Sequence, residues 1–176
     1  MQGKNDNASA KPRPHWIRVL VIGRYPLRAL ARIAFLIPIC LIVFHFFLLP
    51  VRVTGISMLP TYKDHSVNLV NRLAYSRHEP RRGDVVTVRL AGLHMMLLKR
   101  IIGLPGETVA FQDGTVIINR VPLDEPYETW QCNWTLPPEK LGLDEYFVVG
   151  DNRTMPPQEH EFGIVKRERI VGKILF

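Results

Sequence analysis

One stretch limits the folds open to this chain more than any other: residues 33–51, which read IAFLIPICLIVFHFFLLPV and contain no Asp, Glu, Lys or Arg. As an α-helix these residues extend over roughly 28 Å, close to the hydrocarbon thickness of a bilayer. The basic segment before them is too long for a signal peptide, and no small-x-small cleavage site follows. Pro38 and His45 are awkward in a buried core helix. We therefore predict a single membrane anchor over residues 33–51.

The charges separate a basic tail from a nearly neutral remainder. Residues 1–32 carry seven Lys or Arg against one acid, Asp6, and the rest of the chain has 16 basic and 15 acidic side chains. A nucleic-acid-binding protein carries its basic excess on the folded domain, so we expect no nucleic-acid partner. The positive-inside rule places residues 1–32 in the cytoplasm. Residues 52–176 are then expected on the extracytoplasmic, periplasmic side of the inner or plasma membrane.

Past the anchor, short strand-like runs alternate with turn signals, and no segment sustains a helical period. The runs TVAFQ and TVIIN flank Asp113-Gly114, a strong hairpin signal. Residues 122–139 are rich in Pro, Trp and Glu and are interpreted as a surface insert. Cys40 lies in the anchor and Cys132 in the outer part, so we expect no disulfide between them. The pattern predicts a mostly β domain.

A serine and a lysine of this domain are candidates for catalysis. Ser57 lies in the turn GISMLPT, where a serine commonly serves only as a turn residue. A nucleophilic serine needs a base, and His65, His78, His94 and His160 show no triad spacing. Lys99 lies in the most apolar run of the domain, where burial would lower the pKa of its amine. The alternative is a solubilising lysine at a strand edge, which the neighbouring Arg100 favours.

Several segments in the same order resemble the sequence boxes of type I signal peptidases, the membrane-bound serine proteases that remove signal peptides. These segments are GISMLPT, RRGDVVTV, KRIIGLPGETV, YFVVGDNR and FGIVKRERIVGKILF. The resemblance runs from about Val51 to the C-terminus, with residues 122–139 poorly matched. It implies a twisted, β-barrel-like catalytic domain and no cofactor or metal.

The resemblance also implies roles for individual residues. Ser57 is the expected nucleophile and Lys99 the general base, and the N–H of Ser57 would contribute to the oxyanion hole. Some members add a hydroxyl two residues before the nucleophile, where this chain has Gly55. The other residues expected around the site are Met58 and Pro60 in the serine loop and Gly150, Asp151, Asn152 and Arg153 in the turn beside the base.

The chain departs from the family pattern after GDNR. There the family has a serine that orients the lysine and an Asp–Arg pair that braces the site, whereas this chain reads TMPPQEHEFG. Pro156 stands in place of the orienting serine and has no hydroxyl. Thr154 is a candidate replacement for that hydroxyl, and His160 with Glu159 for the brace.

The expected partners are the lipid bilayer and the signal peptides of preproteins, cleaved after small residues. Two other interpretations stay open. One is a protease dedicated to a single precursor, such as a pilin or conjugation protein. The other is an inactive membrane-anchored paralogue that binds signal-peptide-like sequences without cutting them.

Overall fold

The computed structural model describes residues 26–89, 96–127, 133–157 and 163–175. Most of the predicted basic tail lies outside these residues, as do Cys132, Glu159 and His160. Two compact units divide the chain, residues 1–42 and 43–176.

The described part of the first unit is one apolar helix. Helix α1 spans Pro26–Ile42 and contains Pro38. A short π-helical stretch, Val43–Phe47, follows at the start of the second unit. Residues Leu27–Phe47 together form the one segment, among those described, that is long and apolar enough to cross a membrane. The last residues of the predicted anchor, from Leu48 onward, lie instead in the first β-strand.

The described residues of the second unit form eleven β-strands in two antiparallel sheets. In chain order the strands are β1 (Leu48–Arg52), β2 (Val67–Asn71), β3 (Val85–Arg89), β4 (Met96–Gly103), β5 (Thr108–Gln112), β6 (Thr115–Ile118), β7 (Val121–Pro122), β8 (Leu136–Lys140), β9 (Glu145–Val149), β10 (Gly163–Lys166) and β11 (Ile170–Ile174). The larger sheet has the order β1-β2-β11-β3-β4-β9-β10, and the smaller has the order β7-β6-β5-β8. The predicted fold class, a mostly β domain behind one N-terminal apolar helix, is confirmed.

The hairpin predicted at Asp113-Gly114 joins β5 to β6. Both turn residues have positive φ, 47° and 83°, as a two-residue turn between twisted strands requires. Val109 then pairs with Ile118 and Phe111 with Val116. Their apolar side chains face the larger sheet and form the main core.

Part of the predicted surface insert belongs to this core. Trp134 is 4% exposed, and its ring lies 5.6 Å from that of Phe111. Pro137 and Pro138, in the same segment, are exposed. Residues 122–139 therefore include a buried tryptophan of the core and most of an exposed strand, β8.

Asp84, just before β3, is hydrogen-bonded to a tyrosine of the β2–β3 connection and to a lysine of β11. The Tyr75 hydroxyl donates to Asp84 Oδ2 at 2.9 Å, and Lys173 Nζ of β11 donates to Oδ1 at 2.6 Å. Burial works to raise the pKa of Asp84, but its hydrogen bonds, led by the one from Lys173, lower that pKa overall.

We expect Lys173→Met to reduce the free energy of unfolding by about 1 kcal/mol at neutral pH, since Lys173 is partly solvent-exposed. The pKa of Asp84 in the folded chain lies below its unfolded value of about 3.9. This stabilisation is therefore present above that pH and is lost as pH falls through the lowered pKa. Denaturant unfolding of the full chain in detergent, at decreasing pH, measures the difference.

The exposed Lys166, changed to Met, is the control and should leave the free energy of unfolding nearly unchanged. The free energies of unfolding of wild type and Lys173→Met should converge in strong acid. If their difference stayed unchanged there, the role of the Asp84 carboxylate would be contradicted.

Candidate active site

Ser57 lies in the loop that joins β1 to β2, residues 53–66, which we call the serine loop. Two backbone hydrogen bonds at its ends extend the pairing of β1 with β2. The N–H of Val53 donates to Ser66 O and that of His65 donates to Val53 O, both at 2.9 Å. Gly55 has a φ of +102°, a conformation that side-chain-bearing residues rarely adopt, and its N–H donates to Asp64 Oδ1 at 2.9 Å. Hydrogen bonds across the two ends of the loop therefore fix its base, and Ser57 lies nearer its tip.

Met58 anchors this loop in the domain. Its side chain is buried among Val70, Val85 and Ile174, which come from β2, β3 and β11. Because Met58 directly follows Ser57, this packing fixes the position of the serine backbone. Pro60, after a cis peptide bond with Leu59, is half-buried on the same loop.

Lys99 lies in the middle of the larger sheet. Strand β4 runs between β3 and β9, and Lys99 is paired with Val86. The side chain of Lys99 is 2% exposed. The alternative of a solubilising lysine at a strand edge is therefore wrong, because such a lysine would be exposed.

Ser57 and Lys99 line the same cleft, which has a volume of about 560 Å³. The residues that line it are 49–58, Thr87, 96–99 and Met155. Of the residues predicted for the site, the cleft brings together Ser57, Lys99, Gly55 and Met58. Its walls are mostly apolar strand residues of β1 and β4, so the polar groups of Ser57 and Lys99 lie in a largely apolar setting.

The turn predicted at Gly150–Arg153 holds the serine loop from outside the cleft. The N–H of Asn152 donates to Ser57 O at 3.0 Å, and its Nδ2 donates to Ile56 O at 3.1 Å. Thr154 Oγ1 donates in turn to Asn152 Oδ1 at 2.6 Å. Asn152 therefore orients the peptide that carries the candidate nucleophile.

Asp151 joins this turn to the strand that carries the candidate base. Its carboxylate accepts two hydrogen bonds from Arg100, from Nε at 2.7 Å and from Nη2 at 2.5 Å, and both side chains are buried. Thr61 Oγ1 of the serine loop donates to the same carboxylate at 2.5 Å. Burial works to lower the pKa of Arg100, but the hydrogen bonds and charge of Asp151 raise it overall. One ion pair thus connects β4, the turn and the serine loop.

Two residues of the poorly matched segment complete this network. The guanidinium carbon of Arg100 lies 3.9 Å from the ring centroid of Tyr127, whose hydroxyl donates to Glu125 at 2.6 Å. Glu125 also accepts from Nη2 of the buried Arg153 at 2.7 Å. Burial, then the nearby charge of Glu125, raises the pKa of Tyr127. The sequence gives no local sign of these roles, because Asp151 lies 51 positions from Arg100 and Arg153 lies 28 positions from Glu125.

The segment after Arg153 is the one whose sequence departs from the family pattern. Thr154 is bonded to Asn152, and among the described residues it does not line the cleft. Pro156 is exposed, and His160 lies outside the described residues. Met155 is the residue of this segment that reaches the cleft. In the part of the chain that the structure describes, no three His, Cys, Asp or Glu side chains cluster as metal ligands.

A serine and a buried amine lining one cleft are the groups that nucleophilic hydrolysis requires. Residues 27–176 match the family model described as signal peptidase, peptidase S26. The chain belongs to this family.

Individual relatives carry the same description. A signal peptidase I from Leptolyngbya laminosa is 37% identical over 125 residues, which make up 66% of this chain and 62% of that protein. Signal peptidase I T from Bacillus subtilis strain 168 is 34% identical over 149 residues, 78% of this chain and 77% of that protein. The chain thus spans less than two thirds of the length of the Leptolyngbya protein.

A solved structure is also similar to this chain. It is a signal peptidase I from Enterococcus faecalis V583, 31% identical, with a TM-score of 0.41. The match covers 54% of this chain and 96% of that one.

We expect Arg100→Met to lower the free energy of unfolding by about 3–5 kcal/mol, because it leaves the Asp151 carboxylate buried without its partner. Arg100→Lys should cost less, since it keeps the charge but loses the paired geometry. Denaturant unfolding of the full chain in detergent measures both changes.

The exposed Arg169, changed to Met, is the matched control and should have little effect. If Arg100→Met proved no more destabilising than Arg169→Met, the ion pair would not hold the site together.

Proposed function

We propose that this protein is a membrane-anchored serine endopeptidase that removes signal peptides from exported preproteins. In this proposal Ser57 is the nucleophile and Lys99 the general base. One observation carries it: both residues line one cleft, and Lys99 is almost completely buried there. Membership of the signal peptidase family supports the same reaction.

The proposed chemistry depends on a neutral lysine. A lysine in water has a pKa of about 10.4 and is an acid at neutral pH. Burial disfavours the charged ammonium, so an amine in this position is suited to accept a proton. Lys99 Nζ takes the proton of Ser57 Oγ as Oγ bonds to the carbonyl carbon of the scissile peptide. The peptide C–N bond then breaks, and the leaving amine carries that proton away.

The second half of the reaction releases the new C-terminus. Water gives a proton to Lys99 Nζ and attacks the ester on Ser57, and the proton returns to Oγ as the ester bond breaks. The N–H of Ser57 would stabilise the negative oxygen in both steps, because Asn152 Nδ2 holds Ile56 O, the carbonyl of the same peptide group. Gly55 supplies no side-chain donor of its own.

The N-terminal segment supports placement of this reaction at a membrane. Residues Leu27–Phe47 have a mean hydropathy of 2.3, and the most apolar part of this segment is not buried by the rest of the protein. With the basic tail inside, the catalytic unit lies on the extracytoplasmic side. A signal peptide is anchored by its own apolar segment, so enzyme and substrate share one plane, which raises their effective concentration.

The form of the substrate follows from the cleft. An extended peptide, lying along a strand, would present alternate side chains to the apolar walls formed by β1 and β4. By family resemblance, the first and third residues before the cut are small. A protease dedicated to one precursor is the second candidate. The observation that favours it is the presence of Met155 in the cleft, within the segment that departs from the family pattern.

Cleavage of a preprotein with an Ala-x-Ala site, in liposomes and across pH, tests the proposal. We expect Lys99→Met to lower kcat/KM by about 10²–10⁴-fold, the usual contribution of a general base. Ser57→Ala should lose at least as much. Wild-type activity should rise with pH through an apparent pKa below 10.4.

Two exposed residues supply matched controls, Lys63→Met from the serine loop and Ser76→Ala. Both should cleave like wild type. Activity that survives Lys99→Met would assign the base to another residue, with His160 the first to test. If wild type bound the preproteins of a panel but cut none, the protein would be a binding module rather than a peptidase.

A further inference from the structure

Met155 is the residue through which the segment that departs from the family pattern reaches the cleft. Among the described residues, the cleft is otherwise lined by the serine loop with β1, by β4 and by Thr87. Met155 is half-buried, so part of its side chain is accessible from the cleft. A peptide bound beside Ser57 therefore meets a methionine side chain on this side.

The backbone of Met155 is held by the core of the domain. Trp134 Nε1 donates to Met155 O at 3.1 Å. Trp134 itself is buried against Phe111 in the main core. Both Trp134 and Met155 lie in segments that match the family pattern poorly, and this hydrogen bond joins the two segments at the margin of the cleft.

The backbone is held on its other side by the turn that orients Ser57. The N–H of Thr154 donates to Asn152 Oδ1 at 3.2 Å, and the N–H of Asn152 donates to Ser57 O. The distance along the chain from Asn152 to Met155 is three residues. The position of Met155 is thus set relative to the candidate nucleophile.

We propose that Met155 is a specificity-determining residue that limits the size of the substrate side chains accepted beside Ser57. This inference rests on the proposed peptidase function. Because the backbone is held from both sides, a smaller residue at this position leaves space instead of letting the loop collapse. A methionine side chain is long and unbranched, so it can fill an irregular gap beside a small substrate side chain.

The test measures kcat/KM of the full chain in liposomes on matched preproteins. Each preprotein carries Ala, Val or Leu at one of the three positions before the cut. Met155→Ala should raise the rate on Val or Leu, relative to Ala, by about tenfold or more at one or more positions. Met155→Leu, which nearly conserves volume, should keep the wild-type ratios. Met155→Phe should shift them the opposite way.

Trp134→Phe keeps an aromatic ring but removes the Nε1–H donor, so it should relax the ratios partially. Leu143→Ala is the matched control, because Leu143 is 93% exposed and does not line the cleft. It should leave every ratio unchanged.

The outcomes separate this inference from the proposed function. Suppose that wild type cleaves and that its rates on Val and Leu, relative to Ala, are the same as those of Met155→Ala and Met155→Phe. That result would overturn the role of Met155 but would not contradict the proposed peptidase function. If Met155→Ala does not fold, as thermal unfolding would show, Met155→Phe alone decides. Wild type that cleaves no preprotein of the panel would overturn the proposed function and this inference with it.

Discussion

The guanidinium of Arg100 and the carboxylate of Asp151 meet inside the domain, with 8% and 0% of the two side chains exposed. A buried pair of this kind persists only when its remaining hydrogen-bonding groups are also satisfied. Here Arg100 also donates to Gly83 O at 2.8 Å, and Asp151 also accepts from Thr61. Arg100 directly follows Lys99, and Asp151 directly precedes Asn152, which binds Ser57 O. The relative position of the candidate base and nucleophile therefore depends on this pair.

The sequence predicted those features that arise from local chemistry. The length and lack of charge of residues 33–51 indicated an apolar helix, and Asp113-Gly114 indicated the β5–β6 hairpin. The apolar neighbours of Lys99 made its burial one of two open interpretations, the other being an exposed lysine at a strand edge. The sequence could not show that Leu48–Arg52 form a strand rather than the end of the helix. A continuous apolar run does not indicate the residue at which pairing with β2 begins.

Long-range pairing explains what was missed at the site. Arg100 and Asp151 are 51 positions apart, and Trp134 and Met155 are 21 apart. Nothing in the periodicity near residues 122–139 distinguishes a buried tryptophan from an exposed one. The structure shows that Glu125, Tyr127 and Trp134 all support the region around the cleft. We infer that the poorly matched segment is part of how this member of the family builds its site.

We propose that the buried Lys99 activates Ser57. The most direct test is the rate at which an acylating serine probe labels Ser57, followed by mass spectrometry of the full chain in detergent across pH. We expect the labelling of Ser57 to rise with pH through an apparent pKa below 10.4 and to be abolished by Lys99→Met. Labelling of Ser57 at the same rate in wild type and Lys99→Met would contradict it.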